Sequence, residues 1–269
     1  METESERMKA SVNTIKELYQ YREMIFSLIR KDLRGRYKGT ILGFFWTFLN
    51  PLFQLIVYTI VFSVLFPTNV DHFYIFLFVG LVPWMFFSTS LTGGASSVTG
   101  QENLIKKIYF PRQVLPISYV TSAFVNMLLT FLVIFAVLIV SGFGIKISIL
   151  WALPIVMIVE YALAVGITML TSALTVYFRD LEHILGILSM AWMYLTPILY
   201  EVTVIPEQYR SLIYMNPMTG IILCYKDILY YRQLPDLKNI GSAFGVGMLF
   251  LAAGFWGFGK LQKRFVEEL

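Results

Sequence analysis

The feature that most constrains this chain is the abrupt change from basic to uncharged sequence between Arg30 and Pro51. Five cations fall within nine residues, and the twenty-six residues from Ile41 to Phe66 then carry no formal charge. Cations are costly in hydrocarbon and a long apolar stretch is costly in water, so this junction fixes a membrane surface. The bias of lysine and arginine toward the inner side places that surface in the cytoplasm. The five cations are Arg30, Lys31, Arg34, Arg36 and Lys38.

Composition argues for an integral membrane protein. The chain is 57% hydrophobic and 14% charged, whereas soluble domains are about 25% charged. The net charge of +4 comes from the chain ends and a few loops, so it orients the protein and provides no nucleic-acid interface. The single cysteine, Cys224, excludes an internal disulfide and argues against a thiolate metal cluster.

Six segments are long and apolar enough, or nearly so, to cross a membrane, which needs about 20 apolar residues per helix. The fifth segment is short and contains Pro197. We therefore predict an all-α integral membrane protein with a cytoplasmic N-terminus (1–38), a transmembrane domain (39–260) and a cytoplasmic tail (261–269). The predicted spans are approximately 41–66, 73–92, 115–141, 149–177, 184–200 and 239–259.

Loop charges test this topology. With six spans, sixteen of the twenty-one Lys and Arg residues fall on the inner side and five on the outer side. Most of the five lie in one long connection, where the charge rule is weak. The sequence therefore predicts a multi-pass protein of the cell (inner) membrane with both termini in the cytoplasm.

Three further elements are predicted around the spans. An apolar stripe from Ile15 to Leu33 indicates an amphipathic helix, which either covers a neighbouring helix or, as we prefer, lies along the inner membrane surface. The proline-rich, apolar connection 201–238 favours re-entrant helices over a small outer loop domain. Glu102 to Phe110 can form a short cytoplasmic helix. This helix could be displaced by an intracellular partner protein, or it could have no such role.

Motifs of catalysis and metal binding are missing from the sequence. Gly254 to Lys260 has the glycine–lysine spacing of a phosphate-binding loop, but Leu261 stands where Ser or Thr would hold Mg²⁺. The segment also lies at the end of an apolar span, without the strand that such a loop follows. His72 and His183 are isolated in the sequence, and no clustered aspartates suggest a prenyl-diphosphate site. The chain itself is expected to bind neither ATP nor a metal.

Two further features lie inside predicted spans: an acidic residue and a pair of glycines. Glu160 is about 16 Å into the fourth span, so its side chain should face protein or water. It could relay protons, line a channel or, as we prefer, bond to a neighbouring helix. Gly241 and Gly245 form a GxxxG pair that permits close packing within the chain or between two copies.

Six ordered motifs carry a resemblance to a known family over residues 15 to 265. The chain resembles the membrane subunit of ABC-2-type polysaccharide exporters, which export O-antigen, capsular polysaccharide and teichoic acid. The motifs are RYKGTILGFFWTFLNPL (36–52), LVPWMFFSTSL (81–91), ENLIKKIYFPRQVLPIS (102–118), YFRDLEHI (177–184), TPILY (196–200) and NPM (216–218).

The resemblance implies a function and a set of partners. It implies a homodimeric permease, driven by two copies of a separate cytosolic ATPase, that exports a glycan carried on a polyprenyl diphosphate lipid. ATP and Mg²⁺ would bind to that ATPase, and this chain would be no enzyme and need no cofactor. Three rivals stay open: an ABC-2 exporter of a drug or simple lipid, an integral membrane transferase, and an ion-coupled transporter that uses Glu160.

The resemblance also assigns residues to roles. Contact with the ATPase would be made by Glu102, Asn103, Leu104, Ile105, Lys106, Lys107 and Ile108, with Arg179, Asp180 and Glu182 beside them. Arg179 and Asp180 could instead cap the end of the fourth span. The cations Arg30, Arg34, Arg36 and Lys38 would meet the lipid headgroup at the inner interface.

Aromatic residues of the first two spans are the remaining candidates. In the resembled family such residues line the channel, where ring faces can stack on sugars. The alternative is an ordinary aromatic belt at the membrane interface or packing against lipid. The candidate channel residues are Phe45, Trp46, Tyr58, Trp84 and Phe87.

Overall fold

The computed structural model describes residues 16–36, 39–62 and 70–268, and the regular elements within them are helices. Five helical segments are long and apolar enough to cross a membrane. They correspond to the first four predicted spans and the sixth, so the all-α membrane architecture is confirmed. The five are Gly43–Ile60, Phe73–Ala95, Val114–Val140, Ala152–Tyr177 and Leu237–Arg264.

The α-helices are numbered here in chain order. A single 3-10 turn, Thr99–Gln101, leads directly into the fourth of them. The helices are α1 (Arg22–Gly35), α2 (Trp46–Ile60), α3 (Phe73–Ala95), α4 (Glu102–Lys107), α5 (Val114–Val140), α6 (Ala152–Tyr177), α7 (Leu181–Tyr194), α8 (Glu207–Met215), α9 (Pro217–Leu229), α10 (Leu237–Leu261) and α11 (Phe265–Glu268).

The fifth predicted span, 184–200, is only partly helical. Helix α7 has 14 residues, which is about 21 Å of helix and less than a bilayer needs. From Leu195 to Tyr200 the chain forms turns. Pro197 provides no backbone N–H and disfavours helical geometry at Thr196, which explains the break. The count of six spans therefore stays a prediction.

Helices α8 and α9 form a hairpin whose tip is Asn216. Asn216 is the N-cap of α9 and Pro217 takes the first helical position, a combination that favours helix initiation. The Asn216 side chain accepts a hydrogen bond from Trp192 Nε1 at 2.8 Å and donates one to Thr196 Oγ1 at 2.9 Å. The tip therefore lies against the end of α7 and the turn that follows it.

The hairpin begins and ends at the opposite side of the bundle from α1, which we call the far end. The Tyr230 hydroxyl, just after α9, donates to the Asp71 carbonyl at 2.5 Å, just before α3. The Tyr231 hydroxyl donates to Glu201 at 2.9 Å, before α8. The chain thus enters at the far end, turns at Asn216 and returns in two short helices; that they re-enter the membrane stays a prediction.

Helix α3 is the centre of the bundle. It contacts α5, α6, α7 and α9, and most of its residues are buried. Hydroxyl groups add polar links: Thr168 Oγ1 of α6 donates to the Ser90 carbonyl at 2.9 Å, and the Ser88 and Ser189 hydroxyls lie 2.7 Å apart. Such interhelical bonds stabilise helix association where lipid tails remove the usual hydrophobic driving force.

Helices α6 and α10 form the most extensive helix pair, and glycines set their separation. A Cβ atom on Gly254 would lie 2.4 Å from the Gly166 carbonyl oxygen. Nothing lies within 4 Å of a Cβ placed on Gly241 or Gly245. The predicted GxxxG pair is therefore wrong as the intrachain contact, because the crossing point lies further along α10; its role between two copies stays a prediction.

The close approach of α6 and α10 predicts a position-specific effect of adding a methyl group. Gly254→Ala should destabilise the protein by about 1–3 kcal/mol, since the two backbones must separate. Gly245→Ala is the matched control: it adds the same methyl at an open helical position and should leave stability unchanged or slightly higher. Thermal unfolding of the detergent-purified protein measures both, and equal melting temperatures would contradict the prediction.

Candidate functional site

The predicted coupling helix is present and forms a short projection at the bundle end that carries α1, which we call the basic end. Helix α4 covers Glu102–Lys107, while Ile108 has extended backbone geometry and is wrongly included in the predicted helix. A helix cannot continue through Pro111 unbroken, because its ring lacks the N–H that would bond to the Lys107 carbonyl and clashes with that carbonyl. Ile105 is buried and fixes α4 to the bundle, whereas Asn103, Lys106 and Lys107 are exposed. The exposed side is free to contact a partner.

Glu102 and Lys106 form an ion pair along α4, with Lys106 Nζ 2.6 Å from the Glu102 carboxylate. The Lys106 ammonium, assisted by the charge of Arg179, lowers the pKa of Glu102 below its ordinary value. The pair therefore persists above the ordinary pKa of a glutamate and is lost only as the pH falls through the lowered value. Both side chains are solvent-exposed, so the pair orders α4 more than it stabilises the fold.

The chain on either side of α4 is attached to other elements. Before α4, Gln101 accepts a hydrogen bond from Lys31 of α1 at 3.5 Å. After α4, Arg112 donates to the Gln262 carbonyl just beyond α10, and its guanidinium lies 5.8 Å from the centre of the Phe265 ring. A displacement of α4 would therefore be felt by the first and last helices of the described chain.

The second predicted coupling segment is a turn between α6 and α7. Arg179, Asp180 and Glu182 are exposed there, and Arg179 is close enough to Glu102 to act on its charge. Asp180 occupies the N-cap position of α7 but its side chain makes no capping hydrogen bond. The structure thus places the two predicted coupling segments beside each other; their contact with an ATPase stays a prediction.

The predicted headgroup cations do not form one cluster. Arg30 and Arg34 are exposed on the outer face of α1. Arg36 instead turns toward the bundle, where its Nε lies 2.9 Å from Asp32 Oδ2 and its guanidinium lies 5.8 Å from the centre of the Tyr119 ring. Lys38 lies outside the described residues. Positions 30 and 34 share a helix face, whereas 36 falls on the bundle side of the helix.

The apolar stripe of α1 is divided in a similar way. Ile25 and Ile29 face the bundle, together with Met24 and Leu28. Phe26 is 59% exposed and points away. Helix α1 therefore does cover its neighbour, chiefly α5, and it also offers an apolar edge that suits an interface helix.

A cavity of about 450 Å³ lies between α1, the end of α3 and the start of α5; we call it the basic-end cavity. Asp32 and Arg36 form its α1 side, and the Ser122 hydroxyl outside its lining donates a hydrogen bond to the Asp32 carboxylate. The full lining is Leu28, Lys31, Asp32, Gly35, Arg36, Gly93, Ser96, Ser97, Gly100, Gln101, Leu115, Ser118 and Tyr119.

The predicted channel aromatics fall into two groups. Trp84 and Phe87 are 4% and 0% exposed, and Phe87 packs edge-on against Trp192 at 5.2 Å between ring centres. Rings covered on all sides by their own chain cannot stack on a sugar in this conformation, so these two are core residues here. Phe45, Trp46 and Tyr58 are at least partly exposed, and for them the channel role stays a prediction.

Sequence reasoning missed a buried lysine. Lys226 was counted among the outer loop charges, yet it is 1% exposed inside α9. Its Nζ donates to the carbonyls of Pro197 and Ile198 at 2.6 and 3.1 Å and lies 3.3 Å from the centre of the Phe76 ring. Its place directly after the apolar run Ile221–Tyr225 was the available signal. Lys226 satisfies the carbonyls freed where the fifth span breaks.

Glu160 is bonded to a neighbouring helix, as the preferred interpretation expected. It is fully buried, and the Tyr225 hydroxyl of α9 donates to its Oε2 at 2.6 Å. Its Oε1 has no hydrogen-bond partner within the described part of the chain. The bond therefore fixes α9 to the middle of α6.

Comparison with known proteins identifies the family to which this helical arrangement belongs. The family model described as "ABC-2 type transporter" matches residues 23–230, from the start of α1 to the end of the hairpin. The chain is a member of the ABC-2 type transporter family. The match includes α4 and the α8–α9 hairpin, so both elements lie within the region that this family shares.

Several relatives of this ABC-2 family member bear names that specify a cargo. "O-antigen export system permease protein RfbA" of Myxococcus xanthus is 36% identical over 96% of this chain and 100% of its own length. The protein of the same name in Klebsiella pneumoniae is 33% identical over 92% and 95%. "Polysialic acid transport protein KpsM" of Escherichia coli is 21% identical over 73% and 77%.

The bond between α9 and α6 predicts different effects for two substitutions. Tyr225→Phe removes the donor that faces Glu160 and should destabilise the protein by about 1–3 kcal/mol. Glu160→Gln keeps an acceptor for the tyrosine and should have a smaller effect. Thermal unfolding gives the first comparison. Transport lost in a stable Glu160→Gln protein would contradict the structural role and favour proton transfer.

Proposed function

We propose that this protein is the permease subunit of an ATP-driven ABC exporter that moves a polyprenyl-diphosphate-linked polysaccharide out of the cytoplasm. The cargo would be of the O-antigen, capsule or teichoic acid type. The observation that carries the proposal is the similarity to O-antigen export permeases over nearly the whole length of both chains. The alternative function that shares most of these features is that of an ABC-2 exporter of a drug or simple lipid.

The assembly we propose is a homodimer of this chain with two copies of a cytosolic ATPase, embedded in the cell membrane. Helix α2 presents an apolar face that such a dimer could bury, since Phe53, Ile56 and Val57 are about half exposed. Lipid or a second copy can cover such an apolar face. The basic end would face the cytoplasm, because the cations of α1 and α4 lie there.

The route of energy transfer would begin at α4. Its exposed side chains would contact the ATPase, and Ile105 would transmit the displacement to the bundle. Lys31 and Arg112, bonded on either side of α4, would carry it to α1 and α10. Short segments fixed to rigid helices transmit rigid-body movements in this manner.

The anionic carrier lipid would be drawn to the basic end by long-range attraction. Arg30 and Arg34 are exposed and suited to this, although salt screens such exposed charges. Of the predicted channel aromatics that are at least partly exposed, Phe45 and Trp46 lie at the start of α2, directly beyond the basic segment. They would be the first rings that an incoming glycan meets.

Deleting the gene and analysing the lipid-linked material that accumulates tests the function. The proposal predicts loss of surface polysaccharide and intracellular accumulation of polyprenyl diphosphate carrying a repeating glycan mass. Restoration by the wild-type gene is the control. Accumulation of a drug or an unglycosylated lipid would support the alternative. An unchanged surface polysaccharide, together with no accumulated glycan, would contradict the proposal.

The ion pair of α4 predicts an effect on coupling. Glu102→Lys places a cation beside Lys106 and Arg179, so α4 should lose its order and export should fall several-fold while the bundle stays folded. The readouts are export in cells and substrate-stimulated ATP hydrolysis by the purified complex.

A matched control exists in the hairpin. Glu207 also lies in the first turn of a short helix and pairs with Arg210 at 3.7 Å, but at the start of α8. Glu207→Lys makes the same change of charge away from α4 and should leave ATPase stimulation near the wild-type level. Equal losses in the two variants would argue against a specific coupling role for α4.

A further inference from the structure

We infer that residues 261–265, just beyond α10, join the two predicted coupling segments to each other, with Phe265 as the positioning residue. We call these residues the C-terminal turn. The inference rests on the proposed function, because it concerns how a displacement at the ATPase contact reaches α10. The observations behind it are two side-chain hydrogen bonds to carbonyls of the turn, one from each segment, and a buried ring that contacts both donors.

The end of α10 leaves a backbone carbonyl for an outside donor. Helix α10 ends at Leu261 and passes into the 3-10 turn Gln262–Arg264, where the Phe265 N–H bonds to the Gln262 carbonyl. In a continuing α-helix that N–H would bond to Leu261 instead. The Leu261 carbonyl accepts a hydrogen bond from the Tyr177 hydroxyl at 2.8 Å. Tyr177 is the last residue of α6, so this bond attaches the C-terminal turn to the start of the α6–α7 turn.

A second hydrogen bond comes from the chain that follows α4. Arg112 donates to the Gln262 carbonyl, the next one along the C-terminal turn. Carbonyls at the end of a helix carry partial negative charge, which favours a guanidinium there. Only residues 108–111 separate Arg112 from α4. Two neighbouring carbonyls therefore accept one donor from each predicted coupling segment.

Phe265 fills the space beside these two donors. Its side chain is 0% exposed. Its ring centre lies 5.4 Å from that of Phe258 in α10 and 6.3 Å from that of Tyr177, and the Arg112 guanidinium lies 5.8 Å from it. Ring pairs and cation–π contacts at such distances favour particular orientations. Phe265 therefore positions both donors against the same turn.

The C-terminal turn is mechanically part of both segments. A displacement of α4 reaches it through Arg112, and a displacement of the α6–α7 turn reaches it through Tyr177. Chains of packed side chains and hydrogen bonds carry coupling between rigid elements in this manner. Because α10 and α6 touch backbone to backbone at Gly254 and Gly166, the pair would receive both displacements together. Loss of the connection should weaken the link between substrate and hydrolysis while basal hydrolysis continues.

Removing one hydroxyl group tests the inference with little change in packing. Tyr177→Phe deletes the bond to the Leu261 carbonyl and keeps the ring beside Phe265. The assay is ATP hydrolysis by the purified permease–ATPase complex, stimulated by the lipid-linked material extracted from the deletion strain. Stimulation should fall about fivefold, the factor that corresponds to one ordinary hydrogen bond. Hydrolysis without that material should stay near the wild-type rate.

Tyr161→Phe is the matched control. Tyr161 also lies on α6, and its hydroxyl is 2.8 Å from Thr121 Oγ1 of α5, so the same kind of bond is removed far from the C-terminal turn. It should lower the melting temperature about as much as Tyr177→Phe and leave stimulation near the wild-type level. Equal losses of stimulation in the two variants, or full stimulation in Tyr177→Phe, would overturn the inference in favour of a purely structural role.

A double-mutant cycle asks whether the two bonds act through one connection. Arg112→Met removes the donor and keeps an apolar stem of similar length. The combination of Arg112→Met with Tyr177→Phe should lose little more stimulation than the worse single variant, because each change breaks the same connection. Losses that multiply would show two independent contacts and contradict a shared role of the C-terminal turn.

A distance measurement tests the turn without an ATPase or a substrate. Lys107→Cys on α4 and Lys263→Cys in the turn replace exposed residues and carry spin labels in a Cys224→Ser background, with excess unlabelled chain in the nanodiscs. The wild-type turn should give one narrow distance distribution. Phe265→Ala should broaden it, as should Arg112→Met, which leaves the buried ring in place. A broad wild-type distribution, or one that neither variant changes, would contradict the positioning role.

These measurements separate the inference from the proposed function. A distribution that broadens in Phe265→Ala, together with unchanged surface polysaccharide in the deletion strain, would contradict the proposed function but not the joined segments. Glycan accumulation in the deletion strain, together with full stimulation in Tyr177→Phe, would support the proposed function and overturn the inference.

Discussion

The fold depends on how the backbone carbonyls left unpaired by a broken helix find hydrogen-bond donors inside an apolar bundle. Where α7 ends, the carbonyls of Pro197 and Ile198 have no helical partners, and hydrocarbon offers none. Lys226 supplies the hydrogen bonds to both carbonyls, and its Nζ also lies over the Phe76 ring. Because Lys226 belongs to α9, this requirement fixes the hairpin against α3 and α7, while the bond from Tyr225 fixes it to α6.

The basic end is organised by a second polar network with a different purpose. Helix α4 is short and makes few contacts of its own, so its position is set by Ile105 and by the bonds on either side of it. Lys31 belongs both to that network and to the basic-end cavity. The exposed side of α4 and the cations of α1 therefore belong to one bonded structure at the basic end.

Sequence reasoning succeeded where the physical cause was local and failed where it was not. Five spans, α4 and the hairpin follow from hydropathy, proline positions and charge. Arg36 was grouped with Arg30 and Arg34 because they are close in sequence, although its i,i+4 spacing from Asp32 was a usable signal. The burial of Lys226 and Trp84 was not predicted, because burial depends on which helices pack against them and a single sequence does not contain that information.

The sequence by itself determined that this is a helical membrane protein, where most of its helices cross, and which family it resembles. These follow because hydrocarbon thickness and the cost of charge act on each segment independently. The tertiary structure decided which cations meet in a cavity, which aromatics are covered, and that Glu160 and Lys226 hold the hairpin. Those outcomes required helices far apart in sequence to meet, because a buried polar side chain is defined by the partner that satisfies it.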